Sequence, residues 1–255
     1  MFNWYGVYSL IKKENIRFYK VYNQTIISPS ISALTFLAIF TLALDEKKNS
    51  PIPDVSFINF MSYGLIIMVI IQNAFANSSS SITTSKVLGY INDILIPPLG
   101  STEIILAYTI SSMFRGLTVG LITLILFLPF ADFHIQHFWY LLFFIFTSCS
   151  LLGMLGILVG VSSNSFDQSS SITNYIINPL SFLSGTFYSV KKLPYIIQKI
   201  NIFNPFYYII DGFRYSLTDY ANSDLNVGII IMITINPIIF ILLKYLINKG
   251  WRLKN

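Results

Sequence analysis

The sequence predicts an all-α membrane protein with six transmembrane helices. An interfacial helix precedes them, a cytoplasmic helical loop joins spans two and three, and re-entrant helices occupy the outer loop between spans five and six. Three observations carry that prediction. Of 255 residues, 54% are hydrophobic and 11% charged, whereas a soluble domain carries about 25% charged residues. Mean hydropathy is +0.66. Several apolar runs reach the ~18 residues that a spanning helix needs. The chain therefore reads as one transmembrane domain over residues 1–255. A net charge of +5 is then loop charge facing the cytoplasm rather than a nucleic-acid surface. The one cysteine, Cys149, lies in an apolar run and excludes a disulfide framework. No cleavable signal peptide is expected from a start that mixes Lys12, Lys13, Glu14, Arg17 and Lys20 into its aromatics.

The arm at residues 1–24 alternates aromatic and basic residues, among them Trp4, Tyr5, Tyr8, Arg17, Phe18 and Lys20. That pattern suits a helix lying in the headgroup region, cations toward phosphate and rings at the boundary. Spans are expected at 26–44, 57–76, 104–130, 138–162, 172–188 and 227–247. Span five is short and contains Pro179, and span six contains Pro237. Neighbouring helices can satisfy the backbone groups those prolines free.

Cations set the orientation. Lys12, Lys13, Arg17 and Lys20 precede span one, and Lys244, Lys249, Arg252 and Lys254 end span six or follow it. The connection after span one offsets Lys47 and Lys48 with Asp45, Glu46 and Asp54, and the one after span three has no cation. Both termini are thus expected in the cytoplasm, in the plasma (inner) membrane of a bacterium.

The connection at residues 77–103, and the serines Ser78 to Ser81 within it, look too polar for a bilayer. Lys86 to Ile96 is expected to form a short helix with Val87, Ile91, Ile94 and Leu95 on one side, ended by Pro97-Pro98. Such a half-apolar, proline-bounded helix is a handle for another protein. The outer loop at 189–226 holds two apolar stretches, Tyr195–Ile202 and Phe206–Leu217, each too short to span. They read as half-helices that dip into the outer leaflet, with Asp211 and Arg214 spaced to pair on one face. Arg115 in span three reads as a snorkelling anchor or paired charge, against a coupling role. Gly116/Gly120 and Gly156/Gly160 have the spacing that lets helix backbones approach closely within the chain. His134 and His137, with Asp132 the acid beside them and no cysteine nearby, read as outer-loop polar residues and not as a metal site.

The residues together resemble the membrane subunits of type 2 ABC exporters, most closely the YadH-like permeases. The resemblance rests on Phe75, Ala76, Asn77, Ser79, Ser80, Lys86, Gly89, Asp93, Leu95, Pro97 and Glu103. It continues through Arg115-Gly116 with Gly120, then NPLSFLSGTFYSVKKLP from Asn178 to Pro194, then NPFYYIIDGFRY from Asn204 to Tyr215. It implies a half-transporter: two copies form the pathway, and a separate cytoplasmic ATPase subunit, which holds ATP and Mg, docks beneath. It makes 77–103 the coupling loop, with Lys86, Val87, Gly89, Asp93, Leu95, Pro97 and Glu103 touching the ATPase. It also places spans two and five along the pathway. Tyr63, Met68 and Asn73 on span two, and Tyr175, Asn178, Phe182 and Phe187 on span five, become candidate lining residues for an amphiphilic cargo such as a lipid-linked glycan, a lipid or a hydrophobic drug.

The chain itself has no phosphate-cradling G-x-x-x-x-G-K-[ST] loop, so it is expected to bind no cofactor and catalyse nothing. The alternative is a secondary transporter without an ATPase. It is disfavoured because the spans hold almost no acids for ion coupling. A membrane-embedded enzyme would need a cluster of reactive side chains that the spans do not offer.

Overall fold

A computed structural model describes residues 2–43 and 55–252. The connection carrying Lys47 and Lys48, and the C-terminal Lys254, lie outside the described residues. Every described element is helical. In chain order these are α1 (Trp4–Lys20), a π-helical turn (Asn23–Ile27) running into α2 (Ser28–Ala43), α3 (Phe57–Val87), α4 (Asn92–Leu95), α5 (Ser101–Phe127) and α6 (Phe138–Ser162). Then follow α7 (Phe166–Ile172), a second π turn (Thr173–Ile177), α8 (Asn178–Leu183), a 3-10 turn (Val190–Lys192), α9 (Tyr195–Ile202), α10 (Pro205–Thr218) and α11 (Leu225–Asn248).

Among the described residues five helices are long and apolar enough to cross a membrane: Asn23–Leu42, α3, α5, α6 and α11. Span five, expected at 172–188, is not one of them. The chain is helical from Phe166 to Leu183, but that stretch breaks into three pieces and carries Asp167, Gln168, Asn174, Asn178 and four serines. Its polarity, more than its length, removes it from the set. Span four matches its expected limits, and spans one, three and six match to within about one turn.

Span two departs most. α3 does not stop at Ala76 but continues to Val87, and it carries the run Ser78 to Ser81 as helix. Ser78, Ser79 and Ser81 are buried. The helix can carry them because neighbours satisfy them: Ser78 shares a hydrogen bond with Ser112 of α5, and Asn77 Nδ2 donates to Ser111 Oγ at 3.1 Å. Interhelical bonds between small polar side chains hold membrane helices together where apolar burial gives no net drive.

α3 is the axis of the fold. Of its most apolar window 83% is buried, against 11% for α11. α5 and α6 pack on it and on each other, and α2 and α10 also pack against it. Both small-residue motifs turn toward it. A side chain at Gly116 would meet the Ile70 carbonyl oxygen at 2.8 Å, and one at Gly156 the Phe75 carbonyl oxygen at 2.4 Å. The two motifs thus bring α5 and α6 against a common backbone.

The arm forms a 17-residue helix whose buried stripe is Val7, Leu10, Glu14 and Phe18. Trp4, Tyr5, Tyr8 and Tyr19 are exposed on the other side. α1 packs on α5, and a polar seam ties it in. Arg17 pairs with Glu14 at 2.9 Å and donates to the Asn77 carbonyl at 2.9 Å. Asn15 accepts from Ser111 at 3.0 Å.

Candidate functional site

One end of the bundle gathers the ends of α3, α5, α6 and α11 around the connection at 88–100. α3 ends through Gly89, whose φ of 82° lies in the left-handed region that glycine tolerates. Leu88 N–H then reaches the Thr84 carbonyl and Gly89 N–H the Lys86 carbonyl. The expected single helix over Lys86 to Ile96 is instead this turn followed by the four-residue α4. Ile91 and Ile94 of the connection are buried. They join Ile82, Ile104, Tyr108, Ile157 and Val161 in one apolar cluster.

Two expected ATPase contacts face inward, which corrects the sequence reading. Lys86 is 5% exposed. Its ammonium donates to the carbonyls of Val161 at 2.6 Å and Ser163 at 2.7 Å. It therefore closes the C-terminal end of α6, where unpaired carbonyls and the helix dipole favour a cation. Glu103, also 5% exposed, accepts backbone N–H bonds from Asn3 and Gly100. It caps α5 and pins the start of the arm to it. Neither side chain is free to meet a partner.

What remains exposed is a compact knob. Val87, Leu88 and Ile96 are 40%, 63% and 79% exposed, and Gly89, Asp93 and Pro97 also face out. Leu95 ends α4, and its side chain lies outside what the structure describes. Leu88 and Ile96 were not singled out from sequence, though their positions flanking the Gly89 turn and the Pro97 break were the available signal. A groove of about 320 Å³ separates this knob from the arm, lined by Gly6, Leu10 and Lys13 on one wall and Asp93, Ile94 and Pro97 on the other.

The candidate pathway residues divide. Tyr63, Met68 and Asn73 are buried within the chain, so the structure withdraws them as lining. Tyr63 donates to the Asp132 carbonyl at 2.7 Å. Asn73 Oδ1 accepts from Arg115 Nη2 at 3.1 Å. Arg115 itself is 7% exposed and does not reach out as a snorkelling anchor; it is a buried, amide-paired cation. On the other strip Tyr175 is 81% exposed and Phe182 38%, while Asn178 and Phe187 are partly so. Asn178 Oδ1 accepts from Gln72 Nε2 at 3.2 Å, which joins the fifth segment to α3.

At the opposite end, Asp211 and Arg214 do not pair with each other. The Asp211 carboxylate accepts from the backbone N–H groups of Asn222 and Ser223 and from both their side chains. Arg214 donates to the Gly185 carbonyl at 3.1 Å and lies 3.7 Å from the centre of the Phe60 ring. Each holds a different segment to α10, because nearer acceptors and donors outcompete a partner one turn away. His137 bonds Asp219 at 2.8 Å and stacks on Tyr215. Among the described residues no three His, Cys, Asp or Glu side chains gather as a metal site would require.

The ABC-2 type transporter family profile matches residues 5–218, and the chain belongs to that family. It is 28% identical over 252 residues to the inner membrane transport permease YadH of Escherichia coli (strain K12), covering 99% of this chain and 98% of that protein. YadH of Shigella flexneri matches to the same extent.

Proposed function

We propose that the chain is the membrane half of an ABC exporter, paired with a second copy of itself and driven by a separate ATPase subunit that carries ATP and Mg. The observation that carries this reading is the knob at 87–97, apolar and acidic at its tip and rigidly rooted in α3 and α6 through Lys86. Family membership makes an ABC ATPase the expected occupant. In this reading the helical stretch at 166–183 completes a six-span layout despite its polarity. The arm α1 lies along the cytoplasmic surface, α9 and α10 form the outer re-entrant pair, and both termini are cytoplasmic in a bacterial inner membrane. Tyr175, Asn178, Phe182 and Phe187 face the second copy and line the route of an amphiphilic cargo.

The test is purification of the full chain in mild detergent through a tag after Asn255. A stoichiometric ATPase should accompany the wild type and be lost when Leu88 and Ile96 are both changed to Asp, with the bundle still folded. Recovery of the chain alone under several gentle conditions would contradict the reading and favour an ATPase-independent transporter.

A further inference from the structure

α9 is built inside out. In a water-facing helix the polar side chains turn outward. Here Asn201 is buried and donates to the Leu183 carbonyl at 3.0 Å. Gln198 donates to the Lys191 and Leu193 carbonyls at 3.1 and 2.7 Å. The outward face instead carries Tyr195, Ile196, Ile200, Ile202 and Phe203, with Phe203 88% exposed. A contiguous apolar patch of this kind marks an interaction surface and not a solvated one.

Charge selects the occupant. From 168 to 210 the chain has no Asp or Glu, and its only cations are Lys191, Lys192 and Lys199, all exposed. Lys199 lies 4.7 Å from the Tyr195 ring centre, and Lys191 lies 5.5 Å from that of Tyr220. Aromatic rings with ammoniums held over them beside an apolar face are the pattern of a headgroup boundary. A second copy packed symmetrically on the same face would set lysine against lysine with no acid to separate them.

We propose that α9 is a docking surface for anionic phospholipid, its apolar face among acyl chains and Lys191, Lys192 and Lys199 on lipid phosphates. The leaflet it occupies rests on the orientation proposed above; the lipid contact itself does not, and it can be read without ATPase or cargo.

The test uses the full chain with Ile196→Cys carrying a bimane label; the native Cys149 is buried and out of reach. The chain is reconstituted in phosphatidylcholine vesicles with and without phosphatidylglycerol, and nitroxide-bearing forms of each lipid serve as quenchers. Nitroxide lipid should quench the label, with phosphatidylglycerol favoured about fivefold, the factor one lysine supplies at an anionic surface. Lys191→Gln, Lys192→Gln and Lys199→Gln together should erase that preference while quenching by phosphatidylcholine persists. Three results would overturn the proposal: quenching by aqueous iodide and not by lipid, quenching by neither (a face covered by protein), or a phosphatidylglycerol preference that survives loss of the lysines.

Discussion

The two ends of α3 are secured in the same way by different parts of the chain. At one end Lys86, on α3 itself, reaches out to the last carbonyls of α6. At the other, Arg214 of α10 reaches in over Phe60 and holds the carbonyls of Gly185 and Thr186. Among the described residues neither cation has a carboxylate partner within an ion pair's reach. A buried cation bonded to backbone carbonyls fixes a segment's position without depending on another ionisable side chain. The difference lies in what is held. Lys86 ties the knob to the long helix α6, whereas Arg214 ties the turn after α8 to α3. In the transport cycle proposed above, α3 would carry motion at the knob to the turn at 185–186.

The largest expected effect breaks the Arg214 end. Arg214→Ala removes a fully buried side chain and two carbonyl bonds, and should cost about 3 kcal/mol or more. Thermal unfolding in detergent would show it as a large fall in Tm, while Arg214→Lys should recover only part because it keeps the charge without the planar fork.

Lys86→Met comes next and sharpens the knob end. Loss of its carbonyl bonds should cost about 2 kcal/mol. The knob's own surface is untouched, so ATPase co-purification should persist, whereas Lys86→Glu should weaken both. Smaller still is Asp93→Lys, a surface change expected to reduce ATPase retention by about tenfold with unchanged Tm. Equal retention would remove Asp93 from the contact.

The smallest effect is at His137–Asp219. The His137 hydrogen bond holds the Asp219 carboxyl below the usual aspartate range. Its contribution is present above the ordinary aspartate pKa and is lost as pH falls through the lowered value. Tm measured down an acid series should fall slightly less steeply in His137→Ala than in the wild type.

Long apolar runs were legible because length and hydropathy are local properties; span four matched its limits. Span two was cut short at Ala76 because Ser78 to Ser81 read as a loop. The partner of Ser78, Ser112, lies 34 residues away, and that of Ser80, Arg17, lies 63 away, so neither gives a local signal. For the same reason Lys86 and Glu103 read as surface charges. A charge beside a polar loop looks solvated until the carbonyls of Val161 and Ser163, or the N–H of Asn3, are brought to it by the fold. The knob's place between Gly89 and Pro97 was legible from turn chemistry. Which of its residues face out was not, since Leu88 and Ile96 look like core residues in sequence. The pairing expected of Asp211 and Arg214 followed from helix spacing, but tertiary partners took both side chains.

The most direct test of the linkage through α3 places one spin label per chain at Phe203→Cys and measures the distance between two copies in the ATPase complex. ATP with vanadate should change that distance in the wild-type background. In Lys86→Met the change should vanish while the ATPase still binds and hydrolyses ATP. An equal change in both backgrounds, or none in the wild type, would contradict an account in which Lys86 and α3 carry the motion outward.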